Sequence, residues 1–260
     1  MRWQRLVSAT LCGESGWRET GVEAEWSDWF AMCEVLAVRW PAPTPFSALL
    51  HWARRLEQYG LGGFGWGVAW LEGDQVRNYR FPGALHDDAD AGQHLHGVRS
   101  TSYLLHLRRP SKLSTTQLAD TQPFLHESGA FAFCHNGAFT NEPEYRPAYE
   151  GRLEGAADSE VGFRMLEDLL DEPVLPEEAL VAVHDRLGGN ANLGLLCRGG
   201  DRLLVMSAHR GNALWRFRVE DAEVAATALH SHDESLFDLV FEHAEERRVV
   251  AGVAAVERGR

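Results

Sequence analysis

One domain of the larger α/β or α+β kind is what the sequence predicts, on three observations. At 260 residues and 45% hydrophobic composition the chain is long enough to bury a substantial core. Strand-like apolar runs recur along it, and between them lie stretches whose apolar residues fall at helical spacing. Nothing marks a linker, and there is no internal repeat or low-complexity tract.

Residues 1–32 read differently from the rest. They carry Trp3, Trp17, Trp26 and Trp29 but no sustained apolar period. Met32-Cys33 then opens a strand, 34–40, and looks like a translation start. A Pro-rich turn (Pro41, Pro43, Pro45) leads into a helix with Thr44 as N-cap and Pro45 at its first position. Phe46, Leu49, Leu50, Ala53 and Leu56 share its apolar face, and Gly60 stops it. A Gly-rich run, 60–67, feeds a hairpin of 68–71 and 75–80 with Gly73-Asp74 at the turn. Residues 82–98 are polar and loop-like. Strands follow at 101–107 and 130–134, separated by a long Ser/Thr-rich loop, and the second runs into His135-Asn136-Gly137. A turn-rich stretch precedes helices at 159–170 and about 177–187, the latter ended by Gly188-Gly189. From Asn192 onward the pattern is all strand: 193–197, 202–207, 213–219, 223–228 and one near 248–256.

Composition excludes several classes of function. A formal net charge of -13 without a block of like charges repels phosphate backbones, so nucleic acid is not an expected partner. Lys112 is the only lysine, which reflects codon bias in a high-GC genome. Cys12, Cys33, Cys134 and Cys197 lie far apart with no CxxC pair, arguing against a zinc knuckle or a disulfide framework. No apolar stretch is long enough to span a membrane, and 6–12 is too short and polar for a signal peptide. We expect a cytoplasmic protein.

The residues with chemical potential are few. A thiol with an unperturbed pKa of about 8.5 is only slightly ionised at neutral pH and needs a base. If Cys33 is the first residue, its own α-amine, with a pKa of about 7.7 to 8.0, supplies one. Otherwise a strand-leading Cys is an ordinary buried residue. A strand ending in Asn136-Gly137 presents a side-chain amide and a backbone N–H that together suit an oxyanion, although the same dipeptide also makes plain hairpin turns.

Taken together, these segments resemble the glutamine amidotransferase domain of the class II type, an N-terminal nucleophile hydrolase, and most closely its short stand-alone members. The resemblance rests on an ordered set: Met32-Cys33-Glu34-Val35-Leu36; Gly65-Trp66-Gly67-Val68-Ala69; His106-Leu107-Arg108 with Thr121-Gln122-Pro123-Phe124; Phe133 to Asn141; and Asp158-Ser159-Glu160. It implies a four-layer αββα sandwich of two antiparallel sheets between helices. It implies Cys33 as nucleophile on a γ-glutamyl amide, forming a thioester, with Asn136 and Gly137 holding the oxyanion. Arg108 would clamp the substrate α-carboxylate and Asp158 its α-ammonium; as local sequence, Arg108 also suits a surface ion pair and Asp158 a helix N-cap. Trp66 is expected in the core, and His106 and His135 as structural hydrogen-bonders. The chain departs from the family pattern at Glu34, Asp120 and Gln122, where Arg or Gly, Asn, and His or Ala are usual.

The substrate implied is glutamine or a related γ-glutamyl compound, with no metal or cofactor. Any ammonia acceptor would be a separate synthase subunit. Residues 1–32 are expected to be a leader outside the mature protein, from a mis-assigned start or a propeptide, with 33–260 as the single domain. Two other readings compete. One is a catalytically silent relative serving as a binding module. The other is a metal-binding protein using His86, His94, His96, His230 and His232 with Asp233.

Overall fold

Alternation along β1 (Glu34–Pro45) sets the architecture. Successive side chains of a strand point to opposite faces, and here both faces are apolar and buried. Leu36, Val38 and Trp40 join one core cluster, while Val35 and Ala37 join another. A strand buried on both faces must lie between two layers. The structure is a computed structural model, and it describes residues 33–60, 62–198, 202–227 and 234–257.

Among the described residues, β1 sits inside a seven-stranded sheet of order β11 (Glu245–Val249), β9 (Leu214–Val219), β10 (Ala222–Thr227), β1, β4 (Arg99–Leu107), β2 (Trp66–Glu72), β3 (Gln75–Phe81). The second sheet has the order β12 (Gly252–Ala255), β8 (Leu203–Ser207), β7 (Asn190–Cys197), β6 (Phe131–Ala138), β5 (Phe124–Leu125). The pairings are antiparallel in both.

Three apolar layers hold these sheets between helices. Val35, Ala37 and Leu104 of the first sheet meet Ala132, Cys134, Leu196 and Val205 of the second. On the outer face of the first sheet, Val38, Trp40, Tyr103 and Phe217 pack on α1 (Phe46–Tyr59) and on Phe237 of α6 (Glu234–Val240). On the outer face of the second, Phe133, Leu193 and Leu195 pack on α4 (Asp158–Leu170) and α5 (Pro176–Leu187). The result is the four-layer αββα sandwich that the resemblance implied.

Several elements differ from the sequence-based expectation. β1 does not stop at Trp40: it passes through an irregularity between Arg39 and Thr44 and pairs again with β4 as far as Pro45. Thr44 does not cap α1, because its hydroxyl donates to the Ala42 carbonyl at 3.0 Å and the N-cap position falls on Pro45. Residues 82–98 contain a 3-10 turn, Leu85–Asp87, and a single helical turn α2 (Ala91–His94). The turn-rich stretch after Asn141 holds α3 (Glu142–Tyr149), with Pro143 in its first turn and Pro147 inside it. The all-strand reading after Asn192 misses α6, and the run near 248–256 is two strands, β11 and β12, belonging to different sheets. Residues 199–201, between the strands expected at 193–197 and 202–207, lie outside the described residues, as does the leader expected at 1–32.

Candidate active site

β6 brings the first part of the site into place. Phe131 and Phe133 face the helices, so Ala132, Cys134 and Asn136 face the other sheet, toward β1. Asn136 and Gly137 do not form a hairpin turn: the strand continues through them, opposite Asn192 and Ala191 of β7. Gly137 has φ 135°, and a Cβ there would lie 1.9 Å from the Asn190 carbonyl oxygen. Only glycine fits that conformation and that approach. Asn136 is fully buried, and among the described residues neither atom of its side-chain amide has a hydrogen-bond partner. A buried, unsatisfied amide normally costs roughly 1–3 kcal/mol, so its retention points to a group that pairs with something else.

Cys33 stands at the entrance to β1, just before the first ladder pair, Glu34 with Leu107. Its Sγ accepts the Arg109 backbone N–H at 3.3 Å. Burial pushes the Cys33 thiol up to about 11, and the Arg109 N–H and the Arg108 guanidinium only partly oppose this. At neutral pH the sulfur is therefore a thiol, and any nucleophilic role requires a base.

A cavity of about 220 Å³ opens beside Cys33, and Arg108, Gly137, His135 and Asp158 also line it. Four of the five residues singled out from the sequence thus share one cavity, while Asn136 lies buried beside Gly137 and off its lining. Arg108 is buried at the end of β4, not a surface ion-pair partner. Two of its five N–H donors go to Thr115, at 2.5 Å to the carbonyl and 2.7 Å to the hydroxyl, which fixes the plane of the fork. Asp158 is the first residue of α4 and does not cap it, the N-cap being Ala157. Its oxygens accept from the Ser159 N–H at 2.8 Å and from the Phe139 N–H at 2.9 Å, tying the helix start to the end of β6. A cation and an anion held apart on one wall suit a zwitterionic headgroup.

Supporting residues complete the wall. Asp120 is fully buried; its Oδ1 accepts from the Ala156 and Ala157 N–H groups, both at 2.7 Å, and its Oδ2 from Gln117 at 2.8 Å. The Gln122 amide accepts from the His135 N–H at 2.6 Å and donates to the Ser159 hydroxyl at 3.0 Å, linking β6 to α4. These two residues read from the sequence only as departures from a pattern. Thr115 gave no local signal at all. Glu34 is buried and accepts from the Thr227 hydroxyl, and its charge adds to the upward push on the Cys33 thiol.

Trp66 is buried in the core, its indole N–H donating to Asp88 at 3.1 Å. His106 reaches across the sheets to the His135 carbonyl at 3.2 Å. His135 stacks on Phe139 with ring centroids 4.0 Å apart, and its Nε2 has no hydrogen-bond partner among the described residues. The other histidines are dispersed: His86 pairs with Glu57 at 2.8 Å and His94 with the Asp90 carbonyl at 3.1 Å. Among the described residues no group of three His, Cys, Asp or Glu side chains converges as metal ligands. His230, His232 and Asp233 lie outside the described residues. No helix among the described residues is long and apolar enough to cross a membrane.

Comparison with known proteins places the chain in a family. The family described as glutamine amidotransferases class-II matches residues 32–256. A glutamine–fructose-6-phosphate aminotransferase (isomerizing) of Gluconobacter oxydans is 26% identical over 181 residues, 68% of this chain and 28% of that protein. Among solved structures, the glutamine phosphoribosylpyrophosphate amidotransferase of B. subtilis superposes with a TM-score of 0.65 at 17% identity, over 88% of this chain and 49% of that one. A glutamine aminotransferase class-II domain protein of Silicibacter pomeroyi gives 0.53 at 19% identity, over 75% and 88%. The first two relatives are thus spanned over less than half their length. That match spans nearly all of the described residues, and the chain belongs to the class II glutamine amidotransferases.

Proposed function

We propose that the protein hydrolyses the γ-glutamyl amide of glutamine, or of a related γ-glutamyl compound, through a thioester on Cys33. The observation that carries this reading is the convergence of Cys33, Arg108, Gly137 and Asp158 on one cavity, with the unpartnered amide of Asn136 beside it. Arg108 takes the α-carboxylate and Asp158 the α-ammonium, which leaves the side-chain amide to reach Cys33. The sulfur attacks the carbonyl carbon of the side-chain amide, and its proton passes to the α-amine of Cys33. Charge develops on the amide oxygen, where the Asn136 Nδ2 and the Gly137 N–H would receive it. The amine returns the proton to the departing nitrogen, ammonia leaves, and water then attacks the thioester to release glutamate.

This chemistry requires Cys33 to be the first residue of the mature protein, because an amide nitrogen is no base. Met32 immediately precedes it, and the family match begins at Met32. Removal of Met32 as an initiator is the simplest route, with cleavage of a 32-residue propeptide the other. Ammonia either passes to an acceptor on a separate synthase subunit or is released, and we place the reaction in the cytoplasm. Burial of the Cys33 thiol favours one second reading, a silent relative in which residues before Cys33 are retained.

An electrophilic glutamine analogue separates the two. Wild-type protein with an intact mass beginning at Cys33 should be labelled stoichiometrically, and Cys33→Ala should not be labelled at all. Labelling that survives Cys33→Ala places the nucleophile elsewhere. Release of free glutamate from a panel of γ-glutamyl amides then identifies the substrate.

A further inference from the structure

The connection between β8 and β9 carries the chain from one sheet to the other, and Asn212 lies on it. This residue is buried, and its side-chain Nδ2 donates to the Cys33 carbonyl at 3.3 Å. Asn212 is itself held from the second sheet. The Asn192 Nδ2 donates to the Asn212 carbonyl at 2.8 Å, and the Asn192 Oδ1 accepts from the Ser207 hydroxyl at 2.9 Å. The Asn212 and Gly211 N–H groups both reach the His209 Nδ1, at 3.0 and 3.1 Å, which closes the turn. Asn192 is also the residue directly opposite Asn136 in the β6–β7 ladder.

This chain of contacts joins the two halves of the proposed chemistry. Cys33 precedes the β1 ladder, whose first pair is Glu34 with Leu107. If the mature chain starts at Cys33, nothing on the N-terminal side restrains that residue. Tilting of the Cys33–Glu34 peptide plane would then carry both the thiol and the amine relative to Asn136 and Gly137. The contact from Asn212 holds the carbonyl of that plane, and Asn192 refers it to the strand paired with the oxyanion strand. We infer that Asn212, seated by Asn192, is a positioning residue that fixes the main chain of Cys33 for attack. This inference rests on Cys33 being the nucleophile.

Two electrophiles separate alignment from mere integrity. An electrophilic glutamine analogue reacts only if bound and aligned, whereas iodoacetamide needs only an accessible thiol. For Asn212→Ala, and for the nearly isosteric Asn212→Asp, which cannot donate, the inactivation rate by the analogue should fall about 10- to 100-fold, since a small misplacement of a reacting atom costs rates of that order. Its KI and the rate of alkylation by iodoacetamide should stay within about threefold, with the mass of each adduct locating the label. Should the analogue react with both variants at the wild-type rate, the inference is overturned. It is equally overturned if both reagents slow in parallel with a fall in melting temperature, which marks a structural role alone; the Asp variant gives the reading if the Ala variant does not fold. Wild-type protein that carries no label at Cys33 overturns the parent reading, and that result is distinct from labelled wild type with unaffected variants.

Discussion

Asn136 and Gly137 are neighbours whose substitution should fail in different ways. Gly137 is fixed by the backbone: at φ 135° with a carbonyl 1.9 Å from any Cβ, no side chain fits without moving β7. The Asn136 amide makes no hydrogen bond among the described residues, so Asn136→Ala removes a desolvated polar group and breaks no hydrogen bond there. Its melting temperature should stay close to that of the wild type or rise. If the amide receives the oxyanion, kcat should nevertheless fall by about 10²–10³ with KM little changed, the usual loss for one such donor. Steady-state kinetics beside a thermal melt check this, and an unchanged kcat removes Asn136 from the mechanism. At this scale the sequence was informative where chemistry demands one residue type. A thiol and an Asn-Gly pair stood out before any geometry was known, and the family resemblance added an arginine and an acid. Thr115, Asn192 and Asn212 did not, because a hydroxyl or amide that holds another side chain has no pattern of its own; only the fold makes it a partner.

Elements were legible to the extent that their periodicity was uninterrupted. α4 and α5 carry clean apolar faces and matched their expected ranges closely. β1 was cut short at Trp40 because its prolines read as a turn, whereas it crosses that stretch with an irregularity and pairs again beyond it. α3 was missed for the same reason, two prolines within eight residues hiding a short helix. The loop between these elements makes a sharper claim. Asp120 departs from the Asn frequent at its position, yet its Oδ1 takes two backbone N–H groups just before α4 and so shapes the wall that carries Asp158. An Asn could present the same oxygen to both donors, with the Gln117 amide turned over to accept from the new N–H, while an Ala leaves them without a partner. Asp120→Asn should therefore cost little, and Asp120→Ala about 2–4 kcal/mol, on the scale of two lost charge-assisted bonds. If Asp158 receives the substrate α-ammonium, KM should rise with the Ala variant as Asp158 loses its support. Chemical denaturation and initial rates on both variants test this, and equal losses from the two would show that charge, not the acceptor geometry, matters.

On the scale of the whole molecule, burying two histidines among the sheets and the second helical layer gives the fold a built-in acid sensitivity. Burial lowers His106 to about 3, helped by the Arg108 charge nearby, and burial lowers His135 as well. Both rings are neutral in the folded protein at pH 7, and both recover an ordinary pKa of about 6.5 when the chain unfolds. Between the two values of His106 the unfolded state binds more protons than the folded one. Stability is thus fully present above about pH 6.5 and declines as the pH falls toward 3. The decline from His106 alone is at most about 1.4 kcal/mol per pH unit, and His135 adds to it. Most carboxylates titrate below pH 5, so the window from pH 6.5 to 5 isolates the histidines. His106→Asn loses packing and is expected to be less stable at neutral pH. Its unfolding free energy should nevertheless vary less steeply with pH across that window, because one of the two groups is gone. Urea unfolding at half-unit pH steps measures the slope directly, and a slope equal to that of the wild type would show that His106 is protonated as readily folded as unfolded.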